Sequence, residues 1–283
     1  MAAHSLDDLR RVIRRIETRR PKRPAPAPIE EVLGGELVDT GAGPLLVVRR
    51  EFPLSHQHGR QRLGAALEAP LDLLSAMTRA EQPLADARGL LFLDAETTGL
   101  AGGTGTYAFL VGAAWLEEDR LVLTQHFMRD FDEEPALLAA LKPLLERASG
   151  LVTFNGSTFD LPLLETRFIM ARGRWPAATP HLDLLRPARR VWASCFADCR
   201  LATLEREVIG LVRGDDIPGG FIPALYFDYL RSRRAAALSP ALAPNRDDVL
   251  TLLGLLASFG GAPATSETVP PAEPGGRGRR SGV

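Results

Sequence analysis

The sequence predicts an α/β fold with a mixed five-stranded sheet flanked by helices. Residues 90–127 contain three apolar runs of strand length joined by short links, which is typical of an antiparallel meander. Beyond them, helical and strand patterns alternate, so that a helix precedes each of two later strands. These five strands and the helices around them make up the predicted sheet and its two covering layers.

The individual elements follow from the local pattern. The meander comprises GLLFLDAE, TYAFLVGAAWL and LVLTQHF, with EEDR as the turn between the last two. EEPALLAALKPLLERA has helical period and acids in its first turn, and LVTFNG is a buried strand. The next helix takes Ser157 or Thr158 as its N-cap and ends at Gly173, and HLDLL is the fifth strand. Further helices are predicted at about 199–212, 223–235 and 245–259.

Four segments divide the chain. Residues 1–28 combine a basic amphipathic helix with a proline-rich linker, and residues 29–88 form an extension that packs on the core. Residues 89–260 are the core domain, and residues 261–283 are expected to be a disordered tail. The basic arm fits a solvated segment, a contact with nucleic-acid phosphates or a partner, and, less well, an anionic membrane surface.

The composition is that of an ordinary soluble globular protein, with 45% hydrophobic residues, 24% charged residues and a formal net charge of -1. A nucleic-acid site must therefore depend on local patches of charge. Two cysteines, Cys195 and Cys199, cannot form a disulfide framework, which favours a reducing compartment. Neither a secretory signal nor a transmembrane stretch is visible, so we expect a cytoplasmic protein without a membrane partner.

A histidine pair, His56 and His58, lies in the extension. An HxH pair can bind a metal ion, but no cysteine or acid lies close to it in the sequence. The pattern therefore favours exposed loop histidines over a metal site.

The first acidic pair, Asp94 and Glu96, ends a buried strand. Residues two apart on a strand face the same side, so both carboxylates point one way. Two like charges this close repel each other unless a cation lies between them, and Mg²⁺ or Mn²⁺ prefers such oxygen ligands. A DxE pair also occurs by chance on solvated turns, and the apolar strand before it is what favours a metal site.

Two later acids repeat the pattern less specifically. Asp160 follows a buried strand within NGSTFD, where it either caps the next helix or binds a metal. Asp248 lies in NRDDVLTL, where Asn245 is predicted to be the N-cap and the aspartates to occupy the first helical turn. Capping explains each of these acids when it is taken alone.

Taken together, the motifs resemble a known family. DAETTG, NGSTFD and the late aspartate match, in order, the three exonuclease motifs of DEDD nucleases. HLDLLRPARRVW, LATLEREVIGLVRGDDIPGGFIP and NRDDVLTL are similar to the YprB-like branch of the RNase H-like superfamily. The likeness spans about residues 90–257, and it implies an RNase H-like fold.

The resemblance also implies a function. It implies a 3′–5′ exonuclease that acts on single-stranded nucleic acid ends by two-metal phosphodiester hydrolysis, with two Mg²⁺ or Mn²⁺ ions. Carried over by position, the four metal-binding and catalytic acids are Asp94, Glu96, Asp160 and Asp248. The substrate-binding residues are expected to be Thr97, Gly99, Asn155, Phe159 and Asp183, although a structural role for Asp183 is an equal alternative.

One position departs from the family pattern. Many relatives place a histidine, as general base, four residues before the last aspartate, and this chain has Pro244 there. General base catalysis contributes roughly 10²–10⁴-fold, so its loss weakens an enzyme without abolishing metal-driven hydrolysis. Another group such as Tyr226 could substitute, or the alignment could be locally offset. The alternative function is a nuclease-like protein that binds nucleic acid but cuts it weakly or not at all.

Overall fold

The computed structural model describes residues 27–78, 84, 86–99, 104–176, 180–214 and 219–260. The predicted C-terminal tail and all but the last two residues of the predicted basic arm lie outside these ranges. Within them, none of the helices combines the length and the apolar character needed to cross a bilayer.

A seven-stranded sheet forms the centre of the molecule, and a two-stranded ribbon lies beside it. The strands are β1 Glu36–Asp39, β2 Pro44–Pro53, β3 Gln57–His58, β4 Gln61–Arg62, β5 Leu90–Thr97, β6 Ala108–Leu116, β7 Arg120–Phe127, β8 Gly150–Thr153 and β9 His181–Asp183. The order in the sheet is β1-β2-β7-β6-β5-β8-β9, and β3 pairs with β4 in the ribbon.

The sheet is mixed, as predicted, but it has more strands than the sequence indicated. β5, β8 and β9 run parallel, and the other neighbours pair antiparallel. The expected five strands form the continuous part β7-β6-β5-β8-β9. The prediction of five was wrong because β2 pairs with β7 from Leu46 opposite Phe127 to Pro53 opposite Arg120, which extends the sheet with residues from upstream of the meander.

Helices cover both faces of the sheet. They are α1 Ile29–Leu33, α2 Leu71–Thr78, α3 Glu134–Arg147, α4 Asp160–Met170, α5 Leu185–Trp192, α6 Leu201–Leu204, α7 Ile222–Ser232 and α8 Ser239–Ser258, with a π-helical turn at Glu205–Ile209 that continues α6. Alternate residues of β5 face opposite layers: Leu91 and Leu93 pack with α3 and α4, whereas Leu90 and Phe92 pack with α8.

Two predicted helix starts were wrong. α8 begins at Ser239 and not at Asn245, so Asn245 and the aspartates after it lie inside the helix. α4 begins at Asp160 after Phe159, without a side-chain cap from Ser157 or Thr158. Ser157 does not cap α4, because its backbone N–H and its hydroxyl both donate to Asp183.

Close packing of α8 on the sheet depends on a glycine in β6. A β-carbon at Gly112 would lie 2.6 Å from Asn245 Oδ1 and 2.8 Å from a methyl group of Val249. Both distances are shorter than van der Waals contact, so only glycine lets the helix approach this closely. α8 is thereby held directly over the end of β5.

Candidate active site

Three carboxylates meet where β5 ends beneath α8. Asp94 and Glu96 continue the strand face that carries Leu90 and Phe92, and Asp248 reaches the same place from α8. One carboxylate oxygen from each of the three residues lies within 4.8 Å of the others. The strand alternation and the helix position together explain why residues 94 and 248 meet although they are far apart in the chain.

The fourth predicted acid, Asp160, joins this group from the neighbouring strand. β8 runs parallel to β5, so their carboxyl ends lie side by side, and α4 begins with Asp160 shortly after β8. Asp160 lines the same cleft, and its charge raises the pKa of Asp94. The structure therefore places the fourth predicted acid at the border of the cluster, outside the three acids whose carboxylate oxygens lie within 4.8 Å of one another.

The acids are close enough to disfavour each other's ionisation. Burial first, and then the charge of Asp160, raises the pKa of Asp94 above its usual range. Burial and the charges of Asp94 and Asp248 raise the pKa of Glu96, and burial and Asp94 do the same for Asp248. Burial also raises the pKa of Asp160. Such shifts are typical of carboxylates that share a functional site.

This set of donors fits a hard divalent cation. Asp94, Glu96 and Asp248 each offer a carboxylate oxygen within 4.8 Å of the others, and such oxygens are the donors that Mg²⁺ and Mn²⁺ prefer. A cation between them would offset the repulsion that raises their pKa values. The acids also line an open cleft of about 810 Å³, so a substrate can reach them.

Comparison with known proteins agrees with this geometry. The sequence matches the RNase H superfamily over residues 91–259, which include β5, α8 and all four acids. The chain belongs to the RNase H superfamily. The match confirms the predicted fold class and the predicted family.

A relative from the same branch is the uncharacterized protein YprB of Bacillus subtilis (strain 168). It is 36% identical over 215 residues, which are 74% of this chain and 52% of YprB. The chain thus spans about half the length of that relative. The identity supports the predicted YprB-like branch of the RNase H superfamily.

An amide chain that the sequence analysis missed holds Asp94 in this RNase H-like site. Asn245 Nδ2 donates to Asp94 Oδ2 at 2.8 Å and to the Asp94 backbone oxygen at 3.2 Å. Gln125 Nε2 donates to Asn245 Oδ1 at 3.0 Å, and Arg50 donates to Gln125 Oε1 at 3.0 Å. Asn245 was predicted to be a helix cap, and its place one turn before Asp248 on α8 was the signal for its actual role.

A second group that was not predicted surrounds Asp248. Arg213 Nη2 donates to the carboxylates of both Asp248 and Glu205. Glu205 lies on the π-helical turn and is a fifth acid in the cleft lining. Its sequence context, LATLEREVIG, is that of an ordinary helix, so no residue pattern identified it.

The predicted substrate residues divide into two groups. Thr97, Gly99 and Phe159 line the cleft, and Phe159 is 54% exposed. Asn155 and Asp183 are not part of the lining. Asp183 is buried and accepts hydrogen bonds from the backbone N–H groups of Asn155, Ser157 and Leu185. Asp183 therefore orders the loop before α4.

Pro244 occupies the position at which the family pattern places a histidine. Pro244 lies one turn before Asp248 on α8 and lines the cleft. Tyr226 cannot substitute as a base, because it is fully buried and stacks on Phe109 at 4.1 Å between ring centroids. Burial also raises the pKa of Tyr226 above its usual range. Among the described residues of the cleft lining there is no histidine.

The prediction of exposed loop histidines was wrong for His58. His58 lies on β3 and is buried against α8, where its Nε2 lies 2.9 Å from Thr251 Oγ1. Burial lowers the pKa of His58 to about 4. The ribbon thereby connects the upstream region to the helix that carries Asp248.

Proposed function

We propose that the protein is a metal-dependent nuclease, and specifically a 3′–5′ exonuclease on single-stranded nucleic acid ends. The observation that carries the proposal is the meeting of Asp94, Glu96 and Asp248 within 4.8 Å in an open cleft, in a chain of the RNase H superfamily. Asp160 beside them completes the set of four acids that the sequence motifs implied. The cytoplasm is the proposed location.

The four acids are proposed to hold two Mg²⁺ or Mn²⁺ ions. When bound, such ions activate a water molecule and stabilise the leaving oxygen of a phosphodiester. The chain contributes the arrangement of the ligands. Asn245 orients Asp94 with an amide that carries no charge.

A preference for single strands is supported by the cleft wall. Phe159 is exposed directly before Asp160 and lines the cleft, so an unpaired base can stack on its ring. Stacking of a base on an aromatic side chain contributes roughly 1–3 kcal/mol and does not depend on the base sequence. Base pairing in a duplex would prevent the terminal base from turning onto the ring.

The same cleft implies modest turnover. Proton transfer from the attacking water must go to solvent or to a group other than histidine, because the described cleft lining contains none and Pro244 cannot accept a proton. We therefore propose a slower enzyme than relatives that have the histidine. This observation also favours the second candidate function, a nuclease-like protein that binds single strands and cuts them weakly or not at all.

The proposal is tested with 3′- and 5′-labelled DNA and RNA oligonucleotides incubated with Mn²⁺. Stepwise shortening from the 3′ end is expected with the wild type, and loss of shortening with Asp94→Ala. Asp247→Ala is the matched control, because Asp247 adjoins Asp248 on α8 but pairs with Arg246 at 2.7 Å outside the cleft lining. Equal products from the wild type and Asp94→Ala would assign the activity to a contaminant and contradict the proposal.

A substitution at Pro244 separates the two candidate functions. Pro244→His introduces a proton acceptor one turn before Asp248, so the rate of a weak nuclease should rise. Oligonucleotide binding should change little, because the four acids stay in place. A protein that binds without cutting should instead retain oligonucleotides in a salt-dependent manner and stay inactive in both forms.

A further inference from the structure

A buried arginine stands beside the acids of the cleft. Arg213 lines the cleft, its side chain is only 16% exposed, and its Nη2 donates to Asp248 and to Glu205. Its Nη1 lies 3.5 Å from the backbone oxygen of Pro244. The guanidinium therefore lies over the segment of α8 that runs from Pro244 to Asp248.

Glu205 accepts a hydrogen bond from this arginine, and a second residue, Thr251, fixes the carboxylate of Glu205 in turn. Its side chain is 4% exposed, and Thr251 donates a hydrogen bond of 2.5 Å to its Oε1. Thr251 is in turn 2.9 Å from His58 Nε2. These residues come from the π-helical turn after α6, from α8 and from the β3–β4 ribbon, so three separate parts of the chain fix the position of one guanidinium.

Stability alone does not account for this arrangement. A buried ion pair is weak evidence for stability, because the free energy of desolvating both charges offsets their attraction. Arg213 is shared between two carboxylates, so it offsets only part of the negative charge of the cleft. The guanidinium of an arginine does not lose its proton in proteins, so the side chain stays cationic. A permanent cation is thus maintained at the wall of an acidic cleft.

We propose that Arg213 is a phosphate-binding residue that contacts a non-bridging oxygen of the nucleic acid strand, and that Glu205 is the residue that positions it. A guanidinium offers several N–H donors in a planar fork that matches phosphate oxygens. Negative oxygens entering a cleft lined by five carboxylates are repelled unless cations face them, and Arg213 is a cation that the chain itself supplies. This inference rests on the proposed function, because it assigns the phosphate of the same substrate to a side chain.

The test is a double-mutant cycle, in which one change removes the guanidinium of Arg213 and the other removes the charge of one phosphate of the strand. Binding of a fluorescent single-stranded oligonucleotide is measured with Ca²⁺ in place of Mn²⁺, for the normal strand and for strands with a neutral methylphosphonate at the 3′-terminal or 5′-terminal linkage. In the wild type, a methylphosphonate at the contacted linkage should weaken binding about tenfold. In Arg213→Met, the normal strand should bind about tenfold more weakly, and the methylphosphonate should have little further effect.

Three variants complete the experiment. Arg206→Met removes an exposed arginine of the same cleft wall that pairs with Glu207, and it should keep the wild-type sensitivity to methylphosphonate. Arg213→Lys keeps the charge without the fork and should retain part of the sensitivity. Glu205→Gln keeps the shape but not the charge and should reduce the sensitivity without removing it, whereas a purely structural role would change affinity for both strands equally.

The outcomes separate this inference from the proposed function. If the wild type cuts or binds the normal strand, but the methylphosphonate weakens binding equally in the wild type and in Arg213→Met, the role of Arg213 alone is overturned. A wild type that neither cuts nor binds the normal strand would overturn both.

Discussion

Two acids of the same cluster are held by different chemistry. Asp94 is bound by Asn245, a neutral amide that is itself bound by Gln125. Asp248 is bound by Arg213, a cation that is shared with Glu205. A neutral amide orients a carboxylate and leaves most of its charge available to a metal ion. A guanidinium orients a carboxylate and also offsets part of its charge.

The Asp94 side and the Asp248 side of the site should therefore differ in how well they tolerate substitutions. On the Asp94 side, the carboxylate has no counter-ion on its amide partner, so added negative charge should be strongly unfavourable. On the Asp248 side, Arg213 offsets part of the negative charge of Asp248 and Glu205, so the loss of a neutral hydrogen bond should matter less.

The largest effect is expected from added charge on the amide side. Asn245→Asp brings a carboxylate next to buried Asp94, and should lower the free energy of unfolding by about 3–5 kcal/mol without metal. Asn245→Leu removes the hydrogen bonds without adding charge, and should lower it by about 1–3 kcal/mol. Urea unfolding in EDTA measures both. Equal losses in the two variants would mean that charge does not matter at this position.

A smaller effect is expected from pH. An acid with a raised folded pKa binds more protons in the folded state than in the unfolded state, so stability falls as pH rises. The buried histidines act oppositely, because burial lowers the pKa of His58 and of His126 to about 4, but their contribution is complete once pH exceeds the unfolded histidine value of 6.5. Between about pH 7 and pH 9 the acids therefore determine how the free energy of unfolding changes with pH. Measured in EDTA, the free energy of unfolding should fall by about 1–2 kcal/mol across this range.

The pH effect has its own controls. Mn²⁺ should reduce the loss of stability, because a bound cation favours the ionised acids. Glu96→Gln should flatten the slope in EDTA, since it removes an acid whose pKa is raised by burial and by its neighbours. If stability in EDTA instead rises across this range, the acids are not repelling each other in the folded protein.

The smallest effect is expected on the cation side. Thr251→Val removes the hydroxyl between His58 and Glu205 at nearly constant shape, and should lower the free energy of unfolding by about 1 kcal/mol. Thr251→Ser keeps the hydroxyl and is the matched variant. A loss from Thr251→Val as large as that from Asn245→Asp would contradict the difference between the two sides.

The sequence predicted the parts of this site that depend on local pattern. Alternation along β5 placed Asp94 and Glu96 on one side, and the ordered motifs added Asp160 and Asp248. The fold class followed from the order of strands and helices. Each of these inferences needs only neighbouring residues or the order of motifs.

The rest depended on contacts between distant segments. The pairing of β2 with β7 and the contact of His58 with Thr251 leave no mark in either segment alone. Asn245 was misread because asparagine before aspartates is typical of a helix start, and the Ser239-Pro240 pair that begins α8 was overlooked. Glu205 and Arg213 belong to an apolar helical pattern and the loop after it, so their meeting with Asp248 could not be predicted.

Mn²⁺ binding shows whether the four acids form a divalent cation site. The electron paramagnetic resonance signal of free Mn²⁺ is measured during titration with the wild type, Asp94→Asn and the control Asp247→Asn. We expect binding by the wild type and by Asp247→Asn, and affinity at least about tenfold weaker in Asp94→Asn. Equal Mn²⁺ affinity in all three proteins would contradict this expectation.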